Sequence, residues 1–430
     1  MTKVRGAFLG PMEVAGYFAR LNAGLHAIGV RTLYADLEDH PFSYPEAPPP
    51  TLAVRLARVA IRRSGSAKRP TRRVAWRVAS LLARSLLLAR AIATCDLFIF
   101  GSGQTLFGRR ELWLLRLLRK RIVIVFFGTD VRPSYLDGIE ARSRNATPAK
   151  LVEWTRAKRD RIRKVERYAM AIVSHGPDSQ LLSRDFVAWL SIGIPTPLRG
   201  AAQPRADGPL RILHAPSNPL AKGTQAIRDA IDALRREGLA IEYRELQGVS
   251  NEAVANAIAA ADVIVDQLYS DTPMAVLASE AAAAGRPAVV GSLDWQAVLD
   301  DVPAESLPPT IRCEPGSIAE TLRELARSPA MAIAAGHRAR AFVRDRWSPE
   351  AVARRYLAIV EGTAPREWYR APISVRYAGG TGLSEADLAS VLAFLVEISD
   401  DPFAVGDKPE LEARLRRVAA SGHVAMSASE

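Results

Sequence analysis

The sequence predicts an α/β protein made of two Rossmann-like, doubly wound parallel-sheet domains. Short β-branched or aromatic runs alternate with longer helical patterns in both halves of the 430-residue chain, as in parallel sheets covered by helices. The Pro- and Gly-containing stretch 196–209 lacks periodicity and indicates a linker between the halves. The length suits two or three domains of about 150 residues each. Two such domains are expected to face each other across a cleft at the carboxyl ends of their strands.

The candidate elements are short strands separated by helices of crossover length. In the first half the strands are Val4–Leu9, Val30–Tyr34, Leu97–Phe100, Ile122–Phe127 and Ala171–Ser174. In the second half they are Arg211–His214, Ile241–Leu246, Val263–Asp266 and Ala288–Val290. Helices are predicted at Thr224–Glu237, Asn251–Ala261 and Met274–Ala284.

The domain boundaries follow from these patterns. We expect an N-terminal domain at 1–195, the linker at 196–209, a C-terminal domain at 210–345, a helix within 346–362 and an extension over 363–430. Ser384 and Asp387 form a capping pattern that opens a helix through Ile398. The last dozen residues, from Ala419, are small and polar and are expected to fray.

Charge is distributed unevenly along the chain. Residues 1–200 hold 34 basic and 15 acidic residues, a net charge of +19, whereas residues 201–430 hold 24 and 31, a net charge of −7. Eleven Lys and Arg and no acidic residue lie between Glu46 and Asp96. Such asymmetry indicates different partners for the two halves, and an anionic partner for the first.

Several classes of protein are disfavoured. The two cysteines, Cys95 and Cys313, are far apart, which fits a reducing compartment and argues against a disulfide scaffold or a zinc site. Charged residues interrupt the most apolar stretch, 78–100, and the N-terminus lacks the pattern of a secretory signal. The acidic run at 36–40 could hold a cation, but a solvated loop is favoured there. We therefore expect a cytoplasmic protein that can lie peripherally on the inner face of the membrane.

The second half carries a phosphate-site pattern. The strand ending at His214 leads into a loop that contains Ser217, and Lys222-Gly223 then opens a helix. The unpaired N–H groups of a helix N-terminus beside a lysine suit a phosphate. The alternative is a surface lysine in an ordinary loop.

Further segments follow in a set order: Ala260-Ala261-Asp262-Val263, Glu280 in a small-residue helix, Gly285-Arg286-Pro287, and Arg346–Ala353. Together with Lys222-Gly223 they resemble the nucleotide-sugar half of GT-B glycosyltransferases, particularly the retaining family 4, in which a helix like Arg346–Ala353 returns across the cleft. The resemblance is carried by order and spacing, since no single motif is very specific.

The resemblance implies roles for individual residues. Lys222 would bind the donor diphosphate, and Glu280 would accept hydrogen bonds from the ribose hydroxyls, although an exposed helix glutamate is the alternative. Asp130 is the third candidate catalytic residue. The resembled fold needs no metal. No cofactor is implied either, because the nucleotide sugar is a substrate. The other donor-binding candidates are Ser217 and the backbone of Gly248, Val249, Met274, Ala275, Val276 and Leu277.

Two positions depart from the family pattern. Thr272 stands where a first glutamate is common, and the adjacent Asp271 could substitute after a small loop shift. Phe127 stands where a histidine often precedes the Gly128–Arg132 turn, and a phenyl ring cannot transfer a proton.

Candidates on the acceptor side are polar groups and one glycine at strand ends. Gly10 lies in a loop that nears the acceptor or the donor phosphate in the family, although a tight turn explains it equally well. Asp130 and Arg132 would lie at the mouth of the cleft, or else form a structural pair. His175 and His214 end strands and could face substrate, or could be hydrogen-bonded structural residues.

The basic segment, residues 51–94, is expected to form two helices separated by Pro70. Its arginines could simply be solvated, could lie on anionic lipid headgroups, or could bind nucleic acid. Lipid is favoured over nucleic acid, because Trp76 is the segment's only aromatic residue.

These features together predict a glycosyltransferase that moves a sugar from a nucleoside diphosphate sugar to a glycan, lipid-linked or small-molecule acceptor, with retention. The alternative is a catalytically inactive binding protein that kept the fold. It is suggested by Phe127 and Thr272, which stand where the family often has a histidine and a glutamate.

Overall fold

The computed structural model describes residues 3–37, 50–66, 69–188 and 208–427, with side chains through residue 422. Its strands are β1 (Gly6–Leu9), β2 (Arg31–Tyr34), β3 (Leu97–Gly101), β4 (Arg121–Val125), β5 (Ala171–Ser174), β6 (Phe186–Ala188), β7 (Leu210–His214), β8 (Ile241–Glu245), β9 (Val263–Gln267), β10 (Ala288–Gly291), β11 (Ile311–Cys313) and β12 (Tyr369–Arg370).

The first eight helices are α1 (Tyr17–Ala27), α2 (Leu52–Ser66), α3 (Pro70–Thr94), α4 (Leu112–Leu117), α5 (Gly138–Ala141), α6 (Pro148–Glu166), α7 (Pro219–Lys222) and α8 (Thr224–Arg236). The others are α9 (Asn251–Ala260), α10 (Val276–Ala283), α11 (Trp295–Asp301), α12 (Ile318–Arg327), α13 (Pro329–Arg346), α14 (Pro349–Glu361), α15 (Glu385–Ile398) and α16 (Pro409–Ser427).

The α/β class with two parallel sheets, which the resemblance to GT-B enzymes implies, is confirmed. All nine expected strands are present within one or two residues of their predicted ends. The three strands that the sequence did not predict are β6, β11 and β12, which have only two or three residues each. Runs this short carry no usable alternation of apolar and polar residues.

The chain divides into two compact units that are discontinuous in sequence. The first comprises Met1–Phe127, Arg163–Val173 and Ser348–Arg366, and the second comprises Gly128–Ile162, Ser174–Trp347 and Glu367–Glu430. These limits differ from the contiguous expected domains, because long-range contacts join residues 128–162 to later parts of the chain. One such contact is the hydrogen bond that the Tyr135 hydroxyl donates to the Phe403 carbonyl, at 2.9 Å. The expected linker lies mostly outside the described residues.

In the first unit, the strands run parallel in the order β2-β1-β3-β4-β5. Strands β1, β3 and β4 are almost entirely buried, as expected where helices cover both faces of a parallel sheet. Helix α14 belongs to this unit and packs on α1. The Tyr17 and Tyr356 hydroxyls lie 2.8 Å apart, and Gly24 of α1 faces the Pro349 carbonyl.

In the second unit, the parallel strands have the order β11-β10-β9-β7-β8. Consecutive residues of β7, Ile212 and Leu213, belong to two different hydrophobic clusters. Because successive strand side chains point to opposite faces, the sheet is covered on both sides. Strands β6 and β12 of this unit pair antiparallel with each other.

The C-terminal extension is helical. Ser384 caps α15 by accepting a hydrogen bond from the Asp387 amide at 3.1 Å, and the helix ends at Ile398, which confirms the capping prediction. The expectation that the chain frays from Ala419 is wrong for residues 419–422, because Ala419 is buried in α16 and Gly422 approaches the Ala389 backbone of α15.

Candidate functional site

The predicted donor-binding residues follow three neighbouring strands of the second unit. Ser217 follows β7, Gly248 and Val249 follow β8, and Met274 to Glu280 follow β9. The sheet places β9, β7 and β8 side by side and parallel. The carboxyl ends of parallel strands share one edge, so the fold brings these segments to the edge where α/β proteins bind ligands.

Lys222 ends α7 and reaches the carboxyl end of β9. Its ammonium donates hydrogen bonds to the amide oxygen of Gln267 and, at 3.4 Å, to the Asp266 carboxylate. About a fifth of its side chain remains exposed, whereas Asp266 is buried. Lys222 is thus positioned by buried partners at this edge while part of its side chain remains exposed.

Gly223 explains the Lys-Gly pair in physical terms. Its φ of +73° is left-handed, and a Cβ there would lie 3.0 Å from side-chain atoms of Leu268 and Tyr269. Glycine therefore allows the chain to pass from α7 directly into α8. The glycine fixes where the preceding lysine lies.

Helix α10 begins at this edge without a side-chain cap. Ala275 occupies the N-cap position and offers no hydrogen-bonding side chain, and the first turn has no acidic residue. The first amides of such a helix lack intrahelical partners and favour an anion. Met274 is buried in the core, so only its backbone can face a ligand.

Glu280 lies in the second turn of α10 and is partly buried among small residues. Asp271 does not replace the missing first glutamate as suggested, because its carboxylate is buried and ion-paired with Arg132. Thr272 is also buried, and its amide donates to the Ser270 hydroxyl at 3.1 Å. Glu280 is therefore the carboxylate that the predicted donor site retains.

Arg132 is the centre of a buried ionic network in the second unit. Its Nε donates to Asp271 at 2.7 Å and its Nη1 to Asp137 at 2.8 Å. Asp137 also accepts from the Thr129 hydroxyl at 2.9 Å. The expectation that Arg132 lies at an open cleft mouth is wrong, because its side chain is only 6% exposed. Asp130 lies beside this network, partly buried, in the 3-10 turn Gly128–Asp130.

The network keeps two of its carboxyl groups ionised. Burial alone would raise the pKa of Asp137, but Arg132 and the Thr129 hydroxyl outweigh burial and lower it. Burial also opposes ionisation of Asp178, yet His175 and Arg132 lower the pKa of that carboxyl. Nearby cations and donated hydrogen bonds stabilise a carboxylate in this way.

His175 is joined to this network through Asp178. Its Nδ1 lies 2.5 Å from the Asp178 carboxylate, and its buried Nε2 has no partner among the described residues. A carboxylate at Nδ1 fixes the orientation of the ring. His175 is therefore the candidate histidine with a buried ring nitrogen that has no hydrogen-bond partner among the described residues.

His214 has a structural role, and the expectation that it faces substrate is wrong. It is fully buried, with Nδ1 2.8 Å from the Val265 carbonyl and Nε2 2.9 Å from the Thr224 hydroxyl. The carbonyl fixes the proton on Nδ1, and burial lowers the pKa of the ring. Both nitrogens are used to hold β7 against β9 and α8.

The Gly10 loop of the first unit is built around Glu13. A Cβ at Gly10 would lie 1.9 Å from the Ala35 carbonyl, so close packing already requires glycine. The buried Glu13 carboxylate accepts from the Phe18 and Ala19 amides at 3.0 and 2.8 Å. The start of α1 is thus occupied by the chain's own carboxylate, which disfavours a phosphate there.

Phe127 belongs to an aromatic cluster of the first unit. Its ring meets those of Tyr17 and Phe18 edge to face, with centroids 5.4 and 6.1 Å away. These contacts are typical of stabilising aromatic packing. The ring fills core space where the resembled family often has a histidine.

Sequence reasoning missed Asp137 and Asp178 and misassigned Asp271. Asp137 has a local signal, since it caps α5 by accepting from the Ile139 and Glu140 amides. Asp271 has none, because its partner Arg132 is 139 residues away.

No protein-family model and no curated protein sequence matches the chain. Among solved structures it is similar to Anabaena HepE in complex with UDP-glucose, at 12% identity and a TM-score of 0.44, covering 84% of this chain and 100% of that one. It is also similar to the glycosyltransferase SnogD from Streptomyces nogalater, at 18% identity and a TM-score of 0.37, covering 84% and 100%. The chain is similar as well to a putative UDP-N-acetylglucosamine 2-epimerase from Listeria monocytogenes, at 11% identity and a TM-score of 0.35, covering 83% of this chain and 96% of that one. Similarity at this level does not assign an activity.

Proposed function

We propose that this protein transfers a sugar from a nucleoside diphosphate sugar to a glycan, lipid-linked or small-molecule acceptor, with retention. The observation that carries the proposal is the edge of the second sheet, where Lys222, the uncapped start of α10 and Glu280 follow neighbouring strands. The resemblance to retaining family 4 enzymes supports the same assignment.

The proposed donor site separates its tasks among these groups. Lys222 and the first amides of α10 stabilise the negative charge that develops on the leaving diphosphate. Glu280 accepts hydrogen bonds from the two ribose hydroxyls, for which a carboxylate is a suitable bidentate acceptor. Gly248 and Val249, both exposed after β8, border the base through their backbone.

The proposed transfer does not need a histidine at position 127. In front-face attack the acceptor oxygen bonds to the anomeric carbon on the face that the diphosphate leaves, so the anomeric configuration is retained. The departing diphosphate accepts the proton of the acceptor hydroxyl. His175, held by Asp178, is the side chain proposed to assist on the acceptor side. Positive charge is supplied by Lys222 and α10, so we propose a reaction without metal that persists in EDTA.

The test begins with a thermal-shift screen of nucleotides and nucleotide sugars, followed by transfer and donor-hydrolysis assays. Lys222→Met and Glu280→Gln should each lower kcat/KM about 100-fold or more, because each removes stabilisation of the reacting donor. His175→Gln should lower kcat and leave nucleotide affinity unchanged.

The matched controls are Lys150→Met and Glu252→Gln, which alter exposed helix residues of the same types. Unchanged kinetics in the Lys222 and Glu280 variants would refute the site. Nucleotide binding without turnover of any sugar would favour the inactive binding protein instead.

A further inference from the structure

Helix α3 has an exposed face that is apolar. Val74, Val78, Leu81, Leu82 and Leu86 are between 48% and 69% exposed. Their spacing places them on one side of the helix. The opposite side, with the buried residues Ser80, Leu87, Leu88 and Ala91, packs on the unit. A helix that is apolar on its solvent side is unusual for a solvated surface.

Arginines border this apolar face. At about 100° per residue, Arg77 lies on one side of it and Arg72 and Arg90 lie on the other. Helix α2 repeats the arrangement, since its exposed Leu52, Leu56 and Val59 are interspersed with arginines at 55, 62 and 63. The two helices pack together, and the Arg63 guanidinium lies 4.8 Å from the centre of the Trp76 ring.

Helix α4 extends the same surface. Trp113 and Leu117 are 56% and 69% exposed. The crossovers from β2 to β3 and from β3 to β4 advance across the sheet in one direction, so right-handed connections place α3 and α4 on one side of it. Lys120, just after α4, donates to the Cys95 carbonyl at the end of α3 at 2.7 Å, which ties the C-terminal ends of the two helices together.

A groove opens between α2, α3 and the loops that follow β1, β2 and β3. Its volume is about 310 Å³, and its polar lining includes Ser64, Arg77, Ser80 and Arg84. Arg84 is held there by the Leu106 carbonyl, to which its Nη1 donates at 3.0 Å. Arg77 both lines this groove and borders the apolar face, so it is the arginine of the groove that can reach a headgroup phosphate.

We propose that the exposed apolar side chains of α2, α3 and α4, with their bordering arginines, form a docking surface for an anionic lipid bilayer. We call it the α2–α4 surface. Apolar side chains enter the boundary between headgroups and acyl chains, and the arginines reach lipid phosphates. Among the described residues no helix is long and apolar enough to cross a bilayer, so the helices lie along it.

Two other occupants fit less well. A second copy would bring the same face against itself, and residues 51–94 carry eleven positive charges and no acidic residue. Nucleic acid would set its phosphates against the apolar centre of α3. The proposal does not rest on the proposed enzymatic function, since vesicle binding and nucleotide binding are measured separately.

The test is sedimentation of the whole protein with phosphatidylcholine vesicles, with and without about one third phosphatidylglycerol, at low and high salt. Binding should be at least about tenfold tighter to anionic vesicles and should weaken with salt. Leu82→Ser with Leu86→Ser should weaken it about tenfold or more, and Arg77→Gln about fivefold.

The control is Ile373→Ser, because Ile373 is 58% exposed in the second unit and Leu82 is 60% exposed. It should leave vesicle binding unchanged. Equal binding to both vesicle types, or no effect of the leucine substitutions, would overturn the proposal. So would a dimer that those substitutions dissociate without any vesicle binding, or preferential capture of DNA.

Discussion

Replacing Arg132 by methionine removes the cation from the buried network while keeping most of the side chain's volume. Arg132 contacts Asp271 at 2.7 Å and Asp137 at 2.8 Å, and all three side chains are at most 6% exposed. An ion pair at about 4 Å is worth about 4 kcal/mol at an effective dielectric constant of 20. The variant loses two such ion pairs, but it no longer bears the cost of burying the guanidinium, which offsets part of that loss. We expect a net loss of about 3–5 kcal/mol in the free energy of unfolding.

The loss should depend on pH in a defined direction. In the native protein the pKa of Asp137 is lowered, so its stabilisation is present above the unfolded pKa and is lost as pH falls through the folded pKa. Burial raises the pKa of Asp271 even in the native protein, and without Arg132 the pKa values of both carboxyl groups should rise, so the variant is penalised as pH rises. The difference between the two proteins should therefore be large at pH 7 and small near pH 3.

Urea unfolding followed by tryptophan fluorescence measures this difference at each pH. The control is Arg228→Met, which removes an arginine that contacts Glu245 at 2.7 Å on the exposed surface and should change stability little. A loss below about 1 kcal/mol for Arg132→Met, or a loss independent of pH, would show that the network does not hold the carboxylates as described.

Two further predictions concern stability. Burial raises the pKa of Asp301 to about 7, so the free energy of unfolding should fall by up to about 4 kcal/mol as pH rises from 4 to 7. Asp301→Asn should therefore raise Tm at pH 8 but not at pH 4. Equal effects on Tm at both pH values would contradict this. Gly24→Ala would place a Cβ 2.0 Å from the Pro349 carbonyl of α14 and should lower the free energy of unfolding by about 1–3 kcal/mol. Gly65→Ala, with nothing within 4 Å, should be neutral or stabilising in a urea titration, and similar losses in both variants would exclude packing as the cause.

The features that the sequence predicted well are those set by neighbouring residues. Ser384 caps α15 because its partner amide is three residues away, and Pro70 begins α3 because proline suits a first helical turn. Buried strands such as β9 stand out because both of their faces are apolar. Each of these signals is contained in one short segment.

The failures concern contacts between distant segments. Nothing near Asp271 in sequence indicates an ion pair with Arg132, so a loop carboxylate looked like a substitute ligand. His214 looked available at its strand end, but its two partners come from β9 and α8. The sequence left open whether the basic segment is solvated or lies on lipid, and the solvent exposure of the apolar side chains of α3 becomes visible only when the whole unit is assembled.

The position of α14 in the chain sets an order of events during synthesis. Helix α1 leaves the ribosome about 320 residues before α14, a delay on the order of half a minute. Through that interval Tyr17 lacks the hydroxyl of Tyr356, and the groove at Gly24 is unfilled. A polypeptide stopped at residue 345 would keep all the parallel strands of the first unit yet lack the helix that covers α1. Such a fragment should be a poor source of an isolated first unit and a good substrate for chaperones.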